Sequence, residues 1–187
     1  MKRISKFILC NLFGWKLFNQ FPPDLKKYLI IVAPHTSWID FPIGILAKTS
    51  YGIKANYIGK HTLFKPPYGF IFRALGGTPV NRSKSANRVE GIIDLYNTNK
   101  NFILALSPEG TRKNLNKWKT GFYYVAKGAK VPIVMVGFDY GSKSISVAEP
   151  YAITGDIKID FKHFHNFYKD IKGKFPEKFD RNFHENL

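Results

Sequence analysis

The chain has a single cysteine, Cys10, in 187 residues. No disulfide can close within it, and a thiolate-ligated zinc cluster is excluded. A reducing, cytoplasmic setting fits that usage. Acidic residues are also scarce, with 13 Asp plus Glu against 29 Lys plus Arg, a formal net charge of +16. Such an excess favours an anionic partner: phospholipid headgroups, nucleic acid or a phosphorylated substrate. No apolar run approaches the roughly 20 residues needed to span a bilayer. The longest candidate, Ile4 to Phe18, is interrupted by Lys6 and Lys16. No small-residue cleavage pattern follows it, which argues against a secretory leader.

Aromatic residues are abundant: 17 Phe, 10 Tyr and 3 Trp. They can fill a core, and they also suit a membrane–water boundary. The length fits one domain with a real core. Residues 1–25 read as an apolar N-terminal helix and linker. That helix either caps the core or lies partly in a membrane interface, with Trp15 and the lysines at its polar boundary. Residues 26–175 form the main domain, and residues 176–187 read as a mobile tail.

Strand-like and helix-like segments alternate along the main domain. Buried-strand runs are expected at 28–34, 54–60, 78–82, 101–108, 131–138 and 144–151. Helices are expected to begin near residues 38–41, where Pro42 fits only a first turn, and at 66–77, 85–97 and 120–129. A terminal helix is marked by Ile157, Phe161, Phe164, Tyr168 and Ile171. This order predicts an α/β fold: a central, largely parallel but mixed sheet flanked by helices. In such sheets, functional groups collect on loops leaving the carboxyl ends of strands.

Three clusters follow predicted strands. The first is "APHTSWIDFPIG" (33–44), with His35 five residues before Asp40. Histidine can take a proton from a hydroxyl near neutral pH, and an aspartate on its other nitrogen fixes the tautomer. The chain repeats the spacing at His165 and Asp170. Inside a helix those two lie about 140° apart around the axis, so they read as a solvated surface. No Gly-x-Ser-x-Gly elbow is present. Ser37 could act as a nucleophile, but nothing around it suggests activation. A dyad without a nucleophile suits direct activation of an acceptor alcohol or water.

The second cluster is "SPEGTRK" (107–113). Gly110 permits close backbone approach, and Arg112 offers a planar fork for phosphate. Glu109 could pin Arg112 or bond an acceptor hydroxyl, although Pro-Glu-Gly-Thr is also a good tight turn. The third is "GGTPVNRSK" (76–84), a strand exit carrying Arg82 and Lys84. Lys119 adds charge at a helix start, where free amides favour anions.

Taken in order, these blocks resemble the glycerolipid acyltransferase family, best known for the lysophosphatidic acid acyltransferases. The family pattern Asn-His-x-Ser-x-x-Asp is similar to Pro34-His35-Thr36-Ser37-Trp38-Ile39-Asp40, with Pro34 in place of Asn. A glycine followed by a strand-end arginine resembles "GGTPVNR". Glu-Gly-Thr-Arg stands intact at 109–112, followed by "KTG". The Val-Pro-Ile strand is matched at 131–133, with Met135 where a second proline is common.

The resemblance implies that His35 deprotonates a lysophospholipid hydroxyl while Asp40 orients it. The alkoxide then attacks the thioester of acyl-CoA or acyl carrier protein. Arg82, Glu109, Gly110, Thr111, Arg112 and Lys119 would form the acceptor site. It implies no metal and no cofactor beyond the acyl donor. It also implies peripheral binding to anionic lipid on the inner face of the cell membrane. A lyso-amino-acid lipid is an alternative acceptor. Nucleic-acid binding is the alternative of another class; the charge is dispersed and no binding motif appears, so no nucleic acid is expected.

Overall fold

Alternating apolar residues on the strands divide the core into two halves, one on each face of a single sheet. The computed structural model of the protein describes residues 1–80, 86–112 and 118–185. Its strands are β1 (Lys16–Phe18), β2 (Lys27–Ala33), β3 (Ala55–Lys60), β4 (Gly77–Val80), β5 (Phe102–Leu106), β6 (Ile133–Asp139) and β7 (Ser144–Val147). The helices are α1 (Lys2–Lys6), α2 (Asp40–Tyr51), α3 (Gly69–Ala74), α4 (Ala86–Thr98), α5 (Gly121–Ala129) and α6 (Ile157–Tyr168).

The sheet order is β1-β7-β6-β2-β5-β3-β4. Every pairing is parallel except β6 with β7. This is the expected single-domain α/β fold with a largely parallel, mixed sheet. Leu29, Ile31 and Ala33 of β2 face one core, closed by Ile92 and Tyr96 of α4, Phe122 of α5 and Phe161 of α6. Tyr28 and Ile30 face the other core, closed by Ile43 and Ala47 of α2 and by Leu9 and Trp15. Side chains pointing alternately to opposite faces make such a strand apolar throughout.

Two segments differ from expectation. The N-terminal helix does not reach Phe18. It runs as α1 and a π-helical turn, Phe7–Leu12, and stops before Gly14 at φ +71°. The chain then pairs with β7 as a parallel edge strand. Leu9 and Trp15 are buried, so Trp15 is a core residue and not a boundary residue. The opposite side of the segment exposes Ile4, Phe7, Leu12 and Phe13.

The second difference is at residues 176–185, which are anchored where a free tail was expected. Phe179 and Phe183 are buried, and Phe183 stacks on Trp118 with centroids 3.6 Å apart. The anchor is long-range: charged neighbours hide two core aromatics in the sequence.

The two His-x-x-x-x-Asp pairs also separate. α6 ends at Tyr168, so Asp170 lies beyond the helix rather than in it. His165 is half-buried and stacks on His184 at 3.8 Å, so it is not a solvated surface residue.

Candidate active site

Three neighbouring parallel strands set the site. β2 lies between β6 and β5, and all three run the same way. Their carboxyl ends deliver His35, Tyr140 and Glu109 to one rim of the sheet. The hydroxyl of Tyr168, fully buried, donates to Ile31 O at 2.7 Å and takes the Val136 N–H at 3.2 Å, tying β2 to β6 near that rim.

His35 follows β2 by two residues, and Asp40 is the first residue of α2. The turn between them brings the side chains together, with His35 Nδ1 3.1 Å from Asp40 Oδ2. Asp40 is 3% exposed, whereas the His35 side chain is 22% exposed. Ser37 N–H donates to the same carboxylate oxygen at 2.9 Å. The other oxygen, Oδ1, takes the Tyr140 hydroxyl at 2.5 Å. On its far side, His35 Nε2 lies 3.3 Å from Arg112 Nε.

These partners define the tautomer. A carboxylate only accepts and a guanidinium only donates. His35 therefore carries its proton on Nδ1 and presents the Nε2 lone pair outward. Ser37 Oγ is buried and takes the Ile39 N–H at 3.3 Å. It is not the group at Nε2; Arg112 is.

The loop bearing His35 is held from behind. Thr36 is buried, and its hydroxyl takes the Phe175 N–H at 3.1 Å. Gly173 lies so close that an added Cβ would stand 2.8 Å from Thr36 Oγ1 and 2.9 Å from Pro34 Cβ. The segment after α6 is thus packed on the dyad's loop.

Glu109 bonds the main chain of His35. It is 5% exposed, and Oε1 accepts the His35 backbone N–H at 2.7 Å. Burial pushes its carboxyl up from 4.5 to about 8; the negative charge of Asp40 raises it too, while the His35 N–H works the other way. Glu109 therefore fixes the main chain of His35.

Gly110 is left-handed, at φ +65°, and the Lys119 side chain lies over it. An added Cβ would stand 3.0 Å from Lys119 Cδ and 3.2 Å from Nζ. The Lys119 N–H also donates to Pro108 O at 2.9 Å, so Lys119 and the Glu-Gly-Thr-Arg turn are one unit. Thr111 is half-buried within that turn. Arg82 and Lys84 lie outside the described residues. Tyr140 was not singled out in the sequence; its partner, Asp40, is 100 residues away. Among the described residues, no group of three or more His, Cys, Asp or Glu could hold a metal ion.

The raised carboxyl of Glu109 has a consequence for stability. The folded protein holds this proton more tightly than the unfolded chain does. Its stabilising contribution is full below pH 4.5 and is lost as the pH climbs to about 8. Glu109→Gln keeps an oxygen acceptor for the His35 N–H and has no proton to lose. Thermal melts should show the variant pulling ahead of the parent across that window, by about 10 °C at its upper end. A gap that does not change with pH would contradict the assignment.

An imidazole backed by a carboxylate, with Arg112 at Nε2 and no protein nucleophile there among the described residues, is equipped to activate a hydroxyl that a substrate brings. Residues 18–139, well over half of the chain, match the family described as Acyltransferase, and the chain belongs to that family. It is an acyltransferase. The fold is similar to the crystal structure of the 1-acyl-sn-glycerophosphate (LPA) acyltransferase PlsC from Thermotoga maritima. That match has a TM-score of 0.57 at 17% identity and covers 99% of this chain and 74% of the other. No curated protein matches the chain by sequence.

Proposed function

We propose that the protein transfers a fatty acyl group from acyl-CoA or acyl carrier protein to the hydroxyl of a lysophospholipid, with lysophosphatidic acid as the preferred acceptor. The observation that carries this reading is His35, bonded through Nδ1 to Asp40 and flanked at Nε2 by the Arg112 guanidinium. A candidate base and an anion-binding group stand side by side.

The Nε2 lone pair takes the proton of the acceptor hydroxyl, and Asp40 steadies the imidazolium that forms. The acceptor oxygen bonds to the thioester carbonyl carbon, giving a tetrahedral oxyanion. Collapse breaks the carbon–sulfur bond, and the proton held by His35 goes to the departing thiolate. The products are an ester and a free thiol. Arg112 must leave Nε2 for the hydroxyl to reach it. An acceptor phosphate gives the guanidinium a bidentate alternative, with Lys119 beside it. Arg82, which the family resemblance also assigns to the acceptor, would add to the same anion site.

The exposed Ile4, Phe7, Leu12 and Phe13, interleaved with exposed Lys2, Arg3 and Lys6, support docking on anionic lipid at the inner face of the cell membrane. Among the described residues, no helix is long and apolar enough to cross a membrane. Purified protein given labelled acyl-CoA or acyl carrier protein with a panel of lysolipids tests the proposal. Lysophosphatidic acid should be acylated fastest, ahead of lyso-amino-acid lipids that lack a phosphate. Absence of a lipid ester product with every acceptor would refute the reading.

A further inference from the structure

We propose that Tyr140 is a positioning residue of the acyl-transfer reaction, its hydroxyl locking the Asp40 carboxylate in the rotation that faces His35. The inference rests on the His35–Asp40 reading above and adds a third member from a different strand.

The geometry divides the carboxylate between two tasks. Oδ2 serves the dyad, with His35 Nδ1 at 3.1 Å and the Ser37 N–H at 2.9 Å. Oδ1 takes the Tyr140 hydroxyl at 2.5 Å. A partial turn about the bond to the carboxyl group would carry Oδ2 out of line with His35 Nδ1. The Tyr140 bond opposes it, because Oδ1 cannot leave without stranding both a phenol and a buried oxygen. A hydrogen bond to an ionised acceptor is also stronger than one between neutral groups.

Tyr140 is itself held from several sides. It follows β6 directly, and its N–H donates to Lys172 O at 2.8 Å. Its ring meets Trp15 edge-on, with centroids 5.0 Å apart at 84°. Trp15 is buried, and its backbone N–H donates to Leu9 O at 3.0 Å. The N-terminal segment is therefore the wall that aims the phenol at Asp40. Burial and the carboxylate both push the phenol's pKa far up, so it remains a donor throughout the working range.

A purely structural tyrosine would fill the same space, so the test must read the dyad itself. Tyr140→Phe keeps the ring and its contact with Trp15 and removes only the hydroxyl. With the full-length protein, kcat for acyl transfer should fall about tenfold or more while KM for donor and acceptor stays within about twofold. The downfield proton resonance of His35 Nδ1–H, assigned by its loss in His35→Gln, should shift or broaden in the variant. Parental kcat with an unchanged resonance overturns the proposal. So does a lower rate explained by a lower melting temperature with the resonance in place. If the parent protein acylates no lysolipid, the functional reading fails, and the resonance alone decides the role of Tyr140.

Discussion

His35→Ala should reduce acyl transfer by about 10³-fold, with little change in acceptor KM. The expectation follows from what surrounds the imidazole. Its Nε2 is oriented through Nδ1 by a buried carboxylate and becomes available to a substrate hydroxyl once Arg112 turns away. Ser37, the neighbouring hydroxyl, is buried and bonded to the Ile39 N–H, so it offers no second route. The half-buried His35 side chain carries little of the core, so the variant should fold. Initial rates at saturating acyl donor, with melting curves for both proteins, check this. Retention of a tenth of the parental rate or more would mean that another group accepts the proton.

Phe183→Ala should produce the largest loss of stability, about 3–5 kcal/mol, or roughly 10 °C in melting temperature. Phe183 is fully buried in an aromatic cluster, stacked flat on Trp118 and packed edge-on to Phe161. Trp118 precedes Lys119, whose backbone is bonded to the Glu-Gly-Thr-Arg turn. The cavity left by the ring would therefore open beneath the anion side of the site. At low temperature the variant should keep most of its activity, because no atom of Phe183 reaches the dyad. A melting temperature within 2–3 °C of the parent, roughly 1 kcal/mol, would show that the C-terminal segment is only loosely applied.

The contrast between these residues shows what a sequence displays. The sheet was legible because buried parallel strands read as unbroken apolar runs: 28–34 and 131–138 fall on β2 and β6 with shifts of one or two residues. His35 and Asp40 were legible because they flank a strand-to-helix junction five residues apart. The role of Glu109 was not, because its partner is a backbone N–H 74 positions away. Phe183 and Tyr140 were hidden for the same reason. Each looks ordinary locally and matters through a contact 65 or 100 residues distant. The N-terminal helix was overextended because apolar content cannot register a left-handed glycine, Gly14, or a pairing with residues 144–146.

The short margins of the sheet bear on how copies of this protein meet. Its two outer strands, β1 and β4, have three and four residues. Within the described residues, neither offers a template long enough for another molecule to continue the sheet. Losing the first eighteen residues would uncover β7, whose Ile145 and Val147 are almost fully buried. The margin would then be an apolar ribbon with unmet amide and carbonyl groups, and clumping in solution would be the first symptom.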